Sequence, residues 1–217
     1  MNPKKTFDPS LYLVTDRDLS LGRPLEFIVE EAIKGGVTMV QLRETRCSTL
    51  EFYQLALQLK ALLNPQNIPL IINNRADIAL AVDADGLHIG QSDLPWQIAR
   101  QLLGPDKIIG LSVETLQQAR AANELDIDYI GISPVFATPT KTDTAPPFGL
   151  DGVKAVCAAS RHPTVAIGGI NSTNAAQIIA NGANGIAVVS AISAVKDPRK
   201  SAQLLTNIVK SKVYEME

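Results

Sequence analysis

Polar residues follow the apolar stretches of this chain at regular intervals, and their types suit the binding of anions. The most distinctive polar segment follows the apolar run 129–132 and contains two hydroxyls and one ammonium group, in Thr138, Pro139, Thr140 and Lys141. Prolines at positions 134 and 139 fix the backbone φ angle, so we expect the segment to hold these groups in place. An ammonium beside two hydroxyls suits a phosphate, and a solvated connection is the alternative interpretation.

A second polar segment, residues 41–44, places a guanidinium at the end of another apolar run. Side chains two positions apart on a strand point to the same face, so Gln41 and Arg43 should both point inward. A buried guanidinium must pair with a carboxylate or meet an anion, and its planar fork matches phosphate oxygens. We therefore predict an anion site at Arg43, with an ion pair to Glu44 or to a carboxylate of a neighbouring strand as the alternative.

Three oxygen donors, Asn73, Asn74 and Asp93, follow two further apolar runs. Such a sparse set of hard ligands is typical of Mg²⁺, which keeps waters and substrate phosphate oxygens as its remaining ligands. Asparagine after a strand is also a frequent helix cap, and Asp93 could cap a helix that begins at Leu94. The pattern predicts a magnesium site, with helix capping as the alternative.

Glycine-rich segments at 168–169 and 185–190 predict a phosphate site built from backbone N–H groups, with tight turns as the alternative. His88 stands alone in an apolar strand, which is typical of a hydrogen-bonded structural histidine, and His162 precedes a proline. We assign neither to catalysis. The sequence shows no Ser-His-Asp arrangement, activated cysteine or paired carboxylates, so we expect a site that positions ligands and stabilises charge.

The elements that must position these residues alternate between short apolar runs and helical patterns. Apolar runs begin near residues 11, 37, 70, 86, 108, 129, 164 and 185, and a helical pattern follows each. Eight parallel strand–helix units close a sheet without edges, and such barrels carry their sites at the carboxyl ends of the strands. We predict an α/β fold with a single (β/α)8 TIM barrel over residues 1–217. An open doubly wound sheet is the alternative, but its glycine-rich fingerprint is missing after Val14.

The composition is typical of a globular protein that binds small molecules rather than nucleic acid or membranes. The formal net charge is −2 and 46% of the residues are hydrophobic, which indicates a sizeable core and argues against a nucleic-acid-binding surface. No apolar run approaches the roughly 20 residues of a spanning helix, and the first ten residues lack the apolar core of a secretory signal. Cys47 and Cys157 form no disulfide framework. We expect a cytoplasmic protein with small-molecule partners, no nucleic acid and no membrane, and homo-oligomerisation stays open.

Six motifs, in their order along the chain, resemble those of the thiamine-phosphate synthase family. They are YLVTD at 12–16, VQLRE at 40–44, INNR at 72–75, GLHIGQSD at 86–93, PVFATPTK at 134–141 and VAIGGI at 165–170. The resemblance runs almost end to end. It implies a (β/α)8 transferase of thiamine biosynthesis that uses Mg²⁺ to join a hydroxymethylpyrimidine diphosphate to a thiazole phosphate, with release of diphosphate.

The residues that this resemblance assigns to the reaction all lie in or near strand ends. Those that it places at the diphosphate-bearing pyrimidine are Gln41, Arg43, Asn73 and Ser112, and those at the metal are Asn74 and Asp93. Thr138 and Thr140 are placed at the thiazole phosphate, Lys141 at the diphosphate, and Gly169, Val189 and Ser190 at the second phosphate; Pro139 belongs to the substrate-binding set without a further role. The substrate-binding set is completed by Leu42, Glu44 and Thr45, and the catalytic residues are Arg43, Ser112 and Lys141.

The chain departs from the family pattern at two site positions. Thr45 stands where the family usually has lysine, with Arg46 beside it, and Asn74 stands where many members have aspartate. A related barrel family that tautomerises the thiazole phosphate carries histidine two residues after the position of Ser112, where this chain has Glu114. A tautomerase of that kind and a barrel that binds a phosphorylated metabolite without catalysis are the two alternative functions.

Overall fold

The computed structural model describes residues 6–138 and 145–214 of the chain, and in these residues eight parallel strands form a closed barrel in sequence order. The strands are β1 Leu11–Val14, β2 Met39–Leu42, β3 Leu70–Asn73, β4 Gly86–Ile89, β5 Ile108–Val113, β6 Tyr129–Ile132, β7 Thr164–Ile167 and β8 Gly185–Val188. Pairing of Leu13 with Val188 joins β1 to β8. The predicted (β/α)8 barrel is confirmed, and the open sheet is wrong.

Helices follow the strands and cover the outside of the barrel. They are α1 Leu25–Lys34, α2 Thr49–Leu63, α3 Ala76–Ala81, α4 Trp96–Leu103, α5 Leu116–Ala122, α6 Gly149–Ala159, α7 Ala175–Ala180, α8 Ser190–Ser193 and α9 Pro198–Tyr214. The short helix α8 was not predicted, because only four residues form it. Among the described residues, no helix combines the length and apolar character needed to cross a membrane.

Alternation along the strands separates two buried layers. One layer fills the barrel interior and includes Tyr12, Met39, Ile71 and Tyr129. The other lies between the strands and the helices and includes their sequence neighbours, such as Leu11 and Leu13 of β1. Because successive side chains of a strand point to opposite faces, one set fills the barrel interior and the other faces the helices.

A capping box begins α2, as the spacing of Ser48 and Glu51 predicts. The Glu51 backbone N–H donates to Ser48 Oγ at 3.2 Å, and the Ser48 backbone N–H donates to Glu51 Oε2 at 2.8 Å. These bonds satisfy N–H groups that the first helical turn leaves without partners. The helix therefore starts directly after the polar segment that ends β2, and this fixes where that segment leaves the barrel.

Candidate active site

A cavity of about 630 Å³ opens at the carboxyl ends of the strands. Its wall brings together most of the residues that the sequence predicts for the site, from loops that are far apart along the chain: Gln41, Arg43, Thr45, Asn73, Asn74, Asp93, Ser112, Thr138, Gly169, Val189 and Ser190. The remaining predicted residues Pro139, Thr140 and Lys141 lie outside the described residues. Clefts of this size at barrel mouths are typical of small-molecule sites.

Two predicted contacts, Leu42 and Glu44, do not line this cavity. Leu42 is fully buried in the layer beneath the helices, because it alternates with the inward-pointing Gln41 and Arg43. The Glu44 side chain is 5% exposed and accepts hydrogen bonds from Nε and Nη2 of Arg17. Both side chains therefore support the segment from outside the cavity, and the assignment of the two residues to substrate binding stays a prediction.

Arg43 pairs loosely with a carboxylate at the end of the neighbouring strand, which is one of the two ion pairs predicted as the alternative, and not with Glu44. Its Nη1 lies 3.8 Å from Oδ2 of Asp16, which follows β1, whereas Glu44 pairs with Arg17. The Arg43 backbone N–H donates to Thr15 Oγ1 at 3.1 Å, which fixes the main chain at this point. A carboxylate at the outer limit of ion-pair distance leaves much of the guanidinium's hydrogen-bonding capacity for an anion.

The helix-capping alternative is wrong for both Asn74 and Asp93. The residue at the N-cap of α3 is Arg75, and α4 begins at Trp96 with Pro95 at its N-cap. Asp93 instead accepts a hydrogen bond from the Gly90 backbone N–H through Oδ2 at 2.7 Å, which closes the turn after β4. Asn74 adopts a left-handed φ of 61° and its N–H donates to the His88 carbonyl. Both side chains line the cavity.

The donor set is compatible with a magnesium ion that a substrate helps to hold. Among the described residues, no group of three His, Cys, Asp or Glu could hold a metal alone. Asp93 Oδ1 makes no hydrogen bond within that part of the chain, so it and the amide oxygen of Asn74 are two hard donors on one cavity wall. Mg²⁺ accepts so few protein ligands when phosphates and waters supply the others.

The loop after β6 is fixed by pairing with the end of β7. Val135 N–H donates to the Ile167 carbonyl at 2.8 Å, and Phe136 N–H donates to the Gly168 carbonyl at 3.0 Å. Gly169 has a φ of 65°, and a Cβ there would lie 2.9 Å from the Phe136 Cβ. The glycines thus allow a close approach of two loops, which places Thr138 beside the β7 loop on the cavity wall.

Sequence reasoning missed the polar interior beneath this mouth. His88 was predicted to be structural, and its ring does make two hydrogen bonds, but one of them goes to Ser112 Oγ and the ring lines the cavity. Tyr12 and Tyr129 extend the contact across the barrel. Burial raises the pKa of both phenols above the ordinary value of 10, so both are protonated at neutral pH and well above it. Two glycines inside strands, Gly110 and Gly131, were the sequence signal for these rings.

Two other reactive groups do not belong to the site. Burial raises the pKa of the Cys47 thiol, with a smaller effect from the Glu44 charge. Burial likewise raises the pKa of Cys157, which contacts Thr164 on the outside of β7. Both thiols are therefore poor nucleophiles at neutral pH, because thiolate is the reactive form.

The chain is similar to known proteins over almost its whole length. Residues 11–192 match the family model described as thiamine monophosphate synthase. Thiamine-phosphate synthases of Albidiferax ferrireducens and Vibrio parahaemolyticus are 52% and 51% identical, covering 92% of this chain and 91% and 97% of theirs. The solved thiamine phosphate pyrophosphorylase of Pyrococcus furiosus is 37% identical with a TM-score of 0.87, covering 95% of this chain and 98% of that one. The chain belongs to the thiamine monophosphate synthase family.

Proposed function

We propose that this protein condenses a hydroxymethylpyrimidine diphosphate with a hydroxyethylthiazole phosphate to give thiamine phosphate and diphosphate, with Mg²⁺ as cofactor. One observation carries the proposal: a single cavity gathers an arginine, two hard oxygen donors, a serine hydroxyl and a glycine loop in Arg43, Asn74, Asp93, Ser112 and Gly169. Family membership supplies the reaction for which this combination is suited.

The reaction needs charge stabilisation at the diphosphate and a shaped pocket for the pyrimidine. The exocyclic carbon–oxygen bond breaks, both bonding electrons leave with the diphosphate, and the thiazole nitrogen then forms the new carbon–nitrogen bond. Arg43 at the cavity mouth places positive charge beside the departing diphosphate, and Lys141 adds a second cation. Ser112 also lines the cavity, and its contact with the pyrimidine orients the reacting carbon toward the thiazole side.

The thiazole phosphate binds on the opposite wall. Thr138 and Gly169 lie on loops that pair with each other, and Val189 and Ser190 follow β8 next to them. Hydroxyls and backbone N–H groups from adjacent loops are the usual phosphate ligands at this position in barrels. The family resemblance assigns Thr140 to the same phosphate.

Asn74 and Asp93 would hold the Mg²⁺ ion, which supplies charge neutralisation to the diphosphate when it is bound. The chain offers one carboxylate and one neutral amide for this purpose. The substrate must therefore contribute oxygens of its own before the ion is held firmly.

A turnover assay with the purified protein tests the proposal. Both phosphorylated substrates and Mg²⁺ should give thiamine phosphate and diphosphate in equal amounts, and chelation should stop the reaction. Saturable binding of both substrates with no product at any Mg²⁺ concentration would support the phosphometabolite-binding alternative.

Glu114 favours one second candidate, a thiazole phosphate tautomerase. Glu114 lines the cavity two residues after Ser112, and a carboxylate can act as a general base. Incubating the protein with the thiazole phosphate tautomer alone separates the two functions. A condensing enzyme should leave that tautomer unchanged until the pyrimidine diphosphate is added, whereas a tautomerase should convert it and lose this activity on Glu114→Gln.

A further inference from the structure

Five polar side chains form a continuous hydrogen-bonded row across the barrel interior. Gln41 Nε2 donates to Tyr12 Oη at 2.9 Å, and the hydroxyls of Tyr12 and Tyr129 lie 3.0 Å apart. Tyr129 Oη lies 2.9 Å from His88 Nδ1, and His88 Nε2 lies 2.9 Å from Ser112 Oγ. The row begins at Gln41 on β2 and ends at a hydroxyl on the cavity wall.

The direction of each hydrogen bond in this row follows from Gln41 Nε2, which can only donate. Burial keeps the two phenols protonated, so each has one proton to donate. Gln41 Nε2–H donates to the Tyr12 oxygen and cannot accept, so Tyr129 Oη is the acceptor for the Tyr12 proton among the described residues. Tyr129 in turn donates to His88 Nδ1. The opposite direction would leave the Tyr12 proton with no acceptor among the described residues, and a buried unsatisfied hydroxyl is costly.

The row therefore determines the tautomer of His88 and the direction of its last bond. A ring nitrogen that accepts at Nδ1 must carry its proton on Nε2 in the neutral imidazole. Nε2–H then donates to Ser112 Oγ, and the Ser112 hydroxyl keeps its own proton for a partner in the cavity. Ser112 is a donor toward the ligand only because His88 is a donor toward Ser112.

The backbone around the row leaves space for this arrangement. A Cβ on Gly110 would overlap Cζ and Oη of Tyr129 and Nδ1 of His88, and a Cβ on Gly131 would lie 3.2 Å from His88 Cε1. The imidazole and the Tyr129 ring are stacked with 5.5 Å between their centroids. The two glycines and the stacking hold the histidine where both of its nitrogens are hydrogen-bonded.

We propose that His88 is a positioning residue that, as the neutral Nε2–H tautomer, orients Ser112 to donate its proton to an acceptor atom of the pyrimidine substrate. The inference rests on the proposed function for the identity of that ligand, whereas the tautomer is a property of the ligand-free protein. A site arranged in this way selects a heteroatom with a lone pair, such as a ring nitrogen, over an N–H or C–H edge at the same place.

Nitrogen-15 NMR of the ligand-free protein tests the tautomer directly. We expect His88 Nδ1 to resonate as an unprotonated, pyridine-type nitrogen and Nε2 as a protonated, pyrrole-type one. The chain has two histidines, so His162→Gln assigns the signals. His162 is also an internal reference, since its Nε2 lies 2.9 Å from the Ala122 carbonyl, which can only accept. A proton on His88 Nδ1, alone or with one on Nε2, would overturn the proposal.

Two substitutions separate positioning from a general structural role. A glutamine amide reaches about as far as Nε2 and can still donate to Ser112, whereas an asparagine amide reaches only about as far as Nδ1. His88→Asn should raise the KM for the pyrimidine diphosphate roughly tenfold, with a smaller change in kcat, because a ground-state contact is lost. His88→Gln should recover most of that loss. Equal impairment of the two variants, or a fall in kcat alone, would contradict positioning through Ser112.

These measurements distinguish failure of the inference from failure of the proposed function. If the wild-type protein forms no thiamine phosphate, the proposed function is wrong, and the NMR signals still decide the tautomer. Calorimetry with the pyrimidine diphosphate then replaces KM, with the same order expected for the wild type, the glutamine variant and the asparagine variant. His162→Gln is the matched control, and its binding should equal that of the wild type.

Discussion

The guanidinium of Arg43 faces the carboxylate of Asp16 at the mouth of the barrel, with 3.8 Å between Nη1 and Oδ2. Their side chains are 24% and 17% exposed, and a contact this long contributes little to stability. Arg43 therefore lies at the edge of the cavity with a weakly paired charge. A bidentate ion pair with the carboxylate would neutralise that charge much more fully. An entering diphosphate can displace the carboxylate and take both arms of the guanidinium.

Arg43→Gln should lower kcat/KM by about a hundredfold, because a cation that meets the departing diphosphate is lost. Steady-state kinetics with both substrates measures this. Arg46→Gln is the matched control, since Arg46 is 85% exposed and pairs only loosely with the 78% exposed Asp18. That control should change kcat/KM by less than about twofold. Equal losses in the two variants would mean that Arg43 acts through general surface charge.

Lys141→Ala should lower kcat by about a hundredfold while weakening thiazole phosphate binding far less, because its charge matters most as the carbon–oxygen bond breaks. Kinetics and calorimetry with the thiazole phosphate give the two quantities separately. Lys154→Ala on α6 removes an exposed lysine elsewhere and should change neither. An unchanged kcat for Lys141→Ala would remove Lys141 from the catalytic set.

Thr45→Lys should tighten binding of the pyrimidine diphosphate, because Thr45 lines the cavity beside Arg43 and the new ammonium would face the same anion. Calorimetry at low and high salt measures this effect. The gain should shrink as salt screens the added charge. Thr45→Gln, of comparable length without the charge, is the control, and an equal gain from it would exclude an electrostatic cause.

The fold followed from the sequence because its signals repeat. Short apolar runs with a helical pattern after each predict parallel strands, and eight such units leave closure as the arrangement without edges. The capping box at Ser48 and Glu51 gave one helix start correctly. The predicted ends of helices and strands were less accurate. Helix α4 starts two residues after the predicted Leu94. Strand β5 continues through Val113, so Ser112 lies within the strand rather than after it.

Many of the residues that line the site could be predicted from the sequence, whereas their hydrogen-bond and ion-pair partners could not. Residues just beyond strand ends must meet at one end of a parallel barrel, so Arg43, Asn74 and Asp93 could be grouped from the sequence alone. The choice between the two possible partners of Arg43 could not be predicted, because the register between strands decides that Arg43 meets Asp16 at the end of the neighbouring strand and not Glu44. The Tyr12–Tyr129–His88 row depends on contacts between residues up to 117 positions apart, which no local pattern encodes.

Asp83 should contribute stability that depends on pH. Hydrogen bonds from Lys107 and then Lys60 lower its pKa below the ordinary value of 3.8. A group whose pKa is lower in the folded state stabilises the fold above the unfolded-state pKa, and this stability is lost as pH falls through the folded-state value. Asp83→Asn should therefore lower the free energy of unfolding at neutral pH, by less than about 1 kcal/mol because the side chain is 76% exposed.

Urea unfolding at neutral pH and in acid well below the ordinary carboxyl pKa checks this prediction. The wild type and Asp83→Asn should differ at neutral pH and converge in acid. Asparagine suits the backbone at this position, where φ is 51°, so the substitution tests charge without straining the chain. Lys107→Gln, which removes the first donor, should weaken the same pH dependence, and a difference that persists in acid would point to packing.

The metal prediction follows from the single carboxylate assigned to the ion. Because Asn74 donates a neutral oxygen, Mg²⁺ should bind weakly until the diphosphate adds its own charge, and each ligand must then tighten the other by the same factor. Asp93→Asn should nearly abolish turnover, since no protein anion would remain at the ion. Asn74→Asp should tighten Mg²⁺ binding to the ligand-free protein with little loss of rate.

Titration of Mg²⁺ with and without the pyrimidine diphosphate measures both effects. Asp93→Asn keeps an oxygen that can accept the Gly90 N–H, so the turn after β4 should survive and a lost rate can be attributed to the metal. Asp77→Asn is the matched control, because its carboxylate is 61% exposed and bonds to Arg75 at the start of α3. It should leave the Mg²⁺ dependence unchanged. If Asp93→Asn also retains the wild-type dependence, Asp93 only closes the turn after β4, and the ion is held elsewhere.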